Sequence, residues 1–189
     1  MNARNLAAGL SMLVAVLALG MAPAHAQFNF LPEVRAGLSA RGIDGDGELF
    51  SPERISDANV ELLFAAPGLH TWTLLGELRP HVGITANFRD ADSYGYAGLS
   101  WTVQAPVLPI FVEASLGGVA HSSLFTADEG DPARDLGCGL GLRAAGSVGI
   151  NMPLGTSLIT TVEYLPDFGA CGTPQRANTN LGVRLGFRF

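Results

Sequence analysis

The last ten residues of the chain, NLGVRLGFRF (180–189), constrain the fold more than any other stretch. Successive side chains of a strand point to opposite faces. Leu181, Val183, Leu185, Phe187 and Phe189 therefore share one face, and Asn180, Gly182, Arg184, Gly186 and Arg188 share the other. A soluble sandwich packs its bulky face inward and wets the rest. Here the second face offers only Arg, Gly and Asn, which suits a narrow, wet lumen, with the bulky face turned to hydrocarbon.

The same parity recurs along the chain. In LRPHVGITANFR (78–89), Leu78, Val82, Ile84 and Phe88 alternate with Arg79, His81, Thr85 and Arg89. In GYAGLSWTVQ (95–104), Ala97, Leu99, Trp101 and Val103 alternate with Gly98, Ser100, Thr102 and Gln104. In IFVEASLGGVAH (110–121), Ile110, Val112, Ala114 and Leu116 oppose Glu113, Ser115 and His121; in LGLRAAGSVGIN (140–151), Leu140, Leu142, Val148 and Ile150 oppose Arg143, Ser147 and Asn151. Weaker cases are 31–42, with Arg35, Ser39 and Arg41 on one side, and 57–66, with Asn59 and Glu61 on one side. With 157–167 and 178–189 the count is eight. An even number of antiparallel strands closes into a barrel and removes the unpaired edges that lipid penalises. The expected fold is all-β, an eight-stranded antiparallel transmembrane β-barrel.

The polar segments 43–56, 90–94, 123–137 and 168–177 follow odd strands, and shorter turns follow even ones, with 67–77 the exception. Both termini then lie on the periplasmic side and the long segments outside.

Arg4, an apolar run from Leu10 to Met21 and the Ala-x-Ala ending at Ala26 read as a secretory signal peptide, residues 1–26, cleaved before Gln27. Its apolar run is too short to span a bilayer as a helix, which takes about 20 residues. Residues 27–189 form one barrel domain. All eleven basic residues are arginine against seventeen acidic ones, so the acidic chain is not expected to bind nucleic acid through bulk charge.

Two cysteines complete the framework. Cys138 opens the sixth strand and Cys171 follows the seventh, placing both at one rim on neighbouring strands. In an oxidising compartment they are a natural disulfide pair, adding about 3–4 kcal/mol in the chain-entropy picture; two unpaired thiols are the alternative. No His/Cys cluster points to a metal, and no cofactor is expected. DGDGE (44–48) lacks calcium-loop spacing and reads as a solvated acidic turn, whose carboxylates could meet divalent ions bridging lipid phosphates.

The stretches EVRAGLSARG, DANVELLFAAP, RPHVGITAN, YAGLSWTV, FVEASLGGVAH, LGCGLGLR and TNLGVRLGFRF, in this order, resemble the lipid A 3-O-deacylase family of outer-membrane barrels, whose members include many acyloxyacyl hydrolases. The likeness covers about residues 31–189. It implies an eight-stranded barrel with lipid A or lipopolysaccharide of the outer leaflet as partner. The terminal Phe189 resembles the signal that outer-membrane assembly machinery reads. The family carries a serine-esterase site on its outer wall, with His-x-Ser-Asn on strand seven and an acidic residue about twelve positions after the serine. A hydroxyl nucleophile needs such a base, and the base an orienting acceptor.

Laid onto TVEYLPDFGACG (161–172), the motif puts Tyr164 at the histidine, Pro166 at the serine, Asp167 at the asparagine and Thr179 near the acidic position. Tyrosine, with an ordinary pKa of about 10, is a poor base at neutral pH, and proline offers no nucleophile. Losing Ser or His alone costs on the order of 10⁶ in turnover. By this reading Tyr164 is an interfacial aromatic-belt residue and Pro166 a strand terminator. Glu163, inward, is placed to pair with Arg143 or Arg184.

Three functions follow from the sequence. One is a catalytically impaired barrel of the deacylase kind that binds lipid or stabilises the membrane. The second is an active lipid A esterase with a rearranged site around His121 and Ser123, although His121 faces the lumen by parity. The third is a small OmpA-like structural or adhesion barrel working through its external loops.

Overall fold

A computed structural model describes residues 33–42, 54–65, 76–89, 91–122, 140–166 and 177–189. Their backbone forms eight strands: β1 (Glu33–Arg41), β2 (Ile55–Leu63), β3 (Glu77–Asn87), β4 (Tyr94–Gln104), β5 (Ile110–His121), β6 (Leu140–Asn151), β7 (Thr156–Leu165) and β8 (Asn178–Arg188). Each pairs antiparallel with the next, and β1 pairs with β8, closing the barrel. The eight periodic segments are thus the eight strands. The second runs from Ile55 to Leu63 rather than 57–66. β7 ends at Leu165, immediately before Pro166, as a residue without an N–H dictates.

The connections β2–β3, β4–β5 and β6–β7 share one rim with the ends of β1 and β8, here the turn rim. The connections β1–β2, β3–β4, β5–β6 and β7–β8 share the opposite, loop rim. No helix among the described residues is long and apolar enough to cross a membrane; the strands are the spanning elements.

Parity sorts the side chains as alternation requires. Leu116, Val148, Leu158 and Leu185 are exposed on the outer wall. Arg35, Arg79 and Arg143 are each only 1% exposed inside. The interior differs from the wet channel expected of it, because it is filled. Glu33 accepts from Arg35 (2.6 Å), Arg79 (2.6 Å) and Arg188 (3.0 Å). Glu113 takes a bidentate fork from Arg35 (2.6 and 2.9 Å) and a further contact from Arg79 (3.3 Å). Glu61 accepts from Arg184 (3.1 Å), and Glu163 pairs with Arg143 (2.5 Å) and Arg184 (3.7 Å). Buried charge is tolerated only when paired and hydrogen-bonded, and five arginines, Arg188 half-exposed, meet four glutamates here.

Apolar groups close this charged centre at both ends. Tyr94, Tyr96, Val119 and Leu165 cluster toward the loop rim. Leu63, Phe111 and Ile159 are buried nearer the turn rim. Two glycines make room for the rings: a Cβ on Gly149 would collide with Phe111, and one on Gly83 with Tyr96. A small polar cavity beside Asn180 and Glu163 has space for roughly one water.

Candidate functional site

The outer wall near the loop rim of β6–β8 carries the positions matched to the hydrolase motif. β7 turns Leu158, Val162 and Tyr164 outward, with Tyr164 44% exposed. Register places Ala144 of β6 on one side of Tyr164 and Thr179 of β8 directly on the other. Directly opposed residues in an antiparallel pair have Cβ atoms about 4.5–5.5 Å apart. Tyr164 and Thr179 are therefore direct cross-strand neighbours. Pro166 follows at the rim.

Along β6, β7 and β8 the outward-facing residues are glycine, alanine, aliphatic or aromatic, apart from the hydroxyls of Thr156, Thr160, Tyr164 and Thr179. None is a carboxylate or imidazole. The Tyr164 phenol and the Thr179 secondary alcohol stand there among Leu140, Leu142 and Val162.

The alternative pair is only half placed. His121 ends β5 facing the lumen, 4% exposed, with its ring edge-on to Tyr94 at 5.6 Å. Among the described residues its Nδ1 has no hydrogen-bond partner. β6 lies between β5 and β7, which puts His121 about two strand spacings, near 10 Å, from the Tyr164 strand. Ser123, Asp167, Cys138 and Cys171 lie outside the described residues, as does DGDGE.

One pairing escaped the sequence reading. Ser100 Oγ lies 2.9 Å from His81 Nδ1, both fully buried in the lumen. It has the look of a nucleophile and its base. His81 Nε2 nevertheless has no partner, and the ring sits edge-on to Tyr96 at 5.8 Å, inside the barrel. Among the described residues no carboxylate accepts from the His81 ring, and the pair is packed inside the lumen. Only the inward parity of both residues hinted at it. Among the described residues no group of three or more His, Cys, Asp or Glu could hold a metal.

No protein-family model matches the sequence, and no curated protein matches it significantly. Among solved structures, the outer membrane enzyme PagL is similar to this barrel with a TM-score of 0.61 and 16% identity, over 83% of this chain and 99% of that one. Ail, the attachment invasion locus protein of Yersinia pestis, solved with the heparin analogue sucrose octasulfate, reaches a TM-score of 0.47 and 11% identity over 85% and 99%. Neisserial surface protein A reaches 0.42 and 13% over 85% and 97%. At 16% identity the likeness to PagL is one of fold, and the fold is the eight-stranded antiparallel transmembrane β-barrel of outer-membrane proteins.

Proposed function

We propose that the protein is an outer-membrane barrel that works by holding lipid against its outer wall, in the manner of a deacylase-like barrel whose hydrolytic set has been replaced. The observation that carries this reading is the outward row Ala144–Tyr164–Thr179, an exposed phenol beside a half-buried threonine on an apolar wall, at the positions where the resemblance expects histidine and an acid. The apolar outer wall supplies the membrane seat. The lipid is lipid A or lipopolysaccharide of the outer leaflet, with the acyl chains along β6–β8 and a headgroup near the loop rim. Residues 1–26 serve as the export signal, Phe189 as the assembly signal, and Cys138 with Cys171 as a disulfide across the loop rim.

The experiment is reconstitution of the barrel with lipid A, following acyl release and bound lipid by mass spectrometry. The expected result is retained lipid A, no release of the 3-linked chain, and weaker retention in Tyr164→Ala. Introducing Tyr164→His, Pro166→Ser and Thr179→Glu together is expected to restore measurable release. Release by the unaltered protein, lost in His121→Ala or Ser123→Ala, would instead establish an esterase with a rearranged site. Neither retention nor release would leave a structural barrel acting through its loops.

A further inference from the structure

The two rims of the barrel differ in charge. The four segments at the loop rim (42–54, 88–93, 122–139 and 166–177) hold eleven Asp and Glu against four Arg. The three connections at the turn rim (64–76, 105–109 and 152–155) hold no charged residue. Two of these are short and well ordered in their bonding. APVLP (105–109) displays Val107, 92% exposed, beside an exposed Leu108; MPLG (152–155) displays Leu154, 90% exposed.

Part of their backbone polar groups is paired within the turns themselves. Pro106, Pro109 and Pro153 bring no N–H. Gln104 Nε2 donates to the carbonyls of Leu108 (3.1 Å) and Ile110 (2.9 Å), and Thr156 Oγ1 donates to that of Pro153 (2.8 Å). The Asn151 N–H donates to the carbonyl of Pro109 (2.6 Å), and that of Met152 to the carbonyl of Thr156 (2.8 Å). Asn151 Nδ2 also donates to Gln104 Oε1 (2.7 Å), tying the bases of the two turns together.

Leu154 is the sharper anomaly. It and Gly155 have φ of 64° and 72°, two successive positive values. That pattern is the type I′ turn, whose central positions favour Asn, Asp and Gly. A bulky residue held there is strained. The turn's own hydrogen bonds hold the backbone there, and they leave the Leu154 side chain almost wholly exposed at the rim.

We infer that the β4–β5 and β6–β7 turns are immersed in the lipid of the leaflet at the turn rim, with Val107, Leu108 and Leu154 extending the apolar wall beyond the strand ends. The inference rests on the membrane seating proposed above. The surface is continuous: Val112, Ile150, Leu158 and Phe187, next to these turns, are exposed apolar residues of the outer wall. Lipid is the occupant rather than a protein because hydrocarbon supplies no hydrogen-bond partners, so a turn that enters it must satisfy its own carbonyls and shed its N–H groups. A protein surface would not demand this. Seating of this kind sinks the β4–β7 side of the barrel deeper and sets its tilt.

The test places single tryptophans at the tips. Val107→Trp, Leu154→Trp and, as a replicate within the same turn, Leu108→Trp are made with Trp72→Phe and Trp101→Phe, and folding is verified by heat-modifiable mobility. Each is reconstituted in phosphatidylcholine vesicles carrying acyl-chain bromines, with Leu116→Trp on the middle of the outer wall as the reference. The expected result is blue-shifted emission quenched by bromine as strongly as the reference and little affected by aqueous acrylamide. Acrylamide quenching like that of free tryptophan, with the reference still quenched by bromine, overturns this inference alone. A reference that bromine fails to quench overturns the membrane seating itself. Tips exposed in vesicles but shielded in native outer-membrane fragments would assign them to a protein partner and likewise overturn it.

Discussion

The two walls of one sheet face opposite physical problems. All twelve charged residues of the strands have the inward parity, six acidic and six basic; the outward positions carry none. The inner wall stabilises by exchanging hydration for mutual hydrogen bonds, and the outer wall by having nothing to hydrate. Charge is therefore admissible on one face only, and only with its partner present. The same backbone separates an ionic core from hydrocarbon by the thickness of a single strand.

The most severe break in this division is the removal of one partner from the inner wall. Glu113 alone receives the Arg35 fork, the Arg79 contact and the Thr102 hydroxyl at 2.7 Å. Glu113→Ala removes the fork and leaves the buried Arg35 and Arg79 to share Glu33, an effect of about 3–5 kcal/mol. Urea unfolding in vesicles, read by tryptophan fluorescence, is expected to show that loss. Replacing Arg35 and Glu113 together with Met and Leu is expected to cost less than the single change, because an apolar pair leaves less charge uncompensated. A single change as mild as the double one would show that the lumen is hydrated enough to screen it.

The same charge moved to the outer wall tests the other face. Leu116 lies in the middle of β5 and is exposed on the outer wall. Leu116→Arg is expected to cost about 2–4 kcal/mol in a bilayer, as for an arginine facing lipid at mid-depth. Equal stability of Leu116→Arg and the parent in vesicles would mean that this wall does not face hydrocarbon.

The difference between the walls also explains how much could be read beforehand. Period-two alternation is local, so the eight strands, their parity and the outward direction of Tyr164 were legible. Glu163 could be matched to Arg143 and Arg184 because those lie on the adjacent strands β6 and β8. The Arg35–Glu113 fork joins residues 78 apart in sequence across the lumen, a contact set by the stagger of the closed barrel and by no neighbouring pattern. The filling of the lumen was missed for a similar reason. Tyr94, Tyr96, Phe111 and Ile159 share parity with polar residues, yet an apolar side chain in such a strand reads as lipid-facing. At the candidate site, the motif spacing brought Thr179 near Tyr164, and hairpin register supplies their direct opposition. Ser123 and the cysteines fall outside the described residues, where neither parity nor register reaches.

The smallest of these effects concerns volume rather than charge, and it separates the walls again. Gly149 faces inward, where a Cβ would run into the Phe111 ring. Gly146, three residues earlier on the outward side of β6, has no atom within 4 Å of the place a Cβ would take. Gly149→Ala is therefore an overpacking change on a wall already filled, with an expected cost of about 1–3 kcal/mol. Gly146→Ala adds a methyl that meets only lipid and is expected to leave the unfolding midpoint unchanged or raised, since alanine also restricts the unfolded chain more than glycine does. Measured side by side in vesicles, the two glycines share a strand and a substitution and differ only in the face. Equal costs would mean that the inner wall yields as freely as lipid, and that Phe111 moves aside rather than sealing the turn end of the lumen.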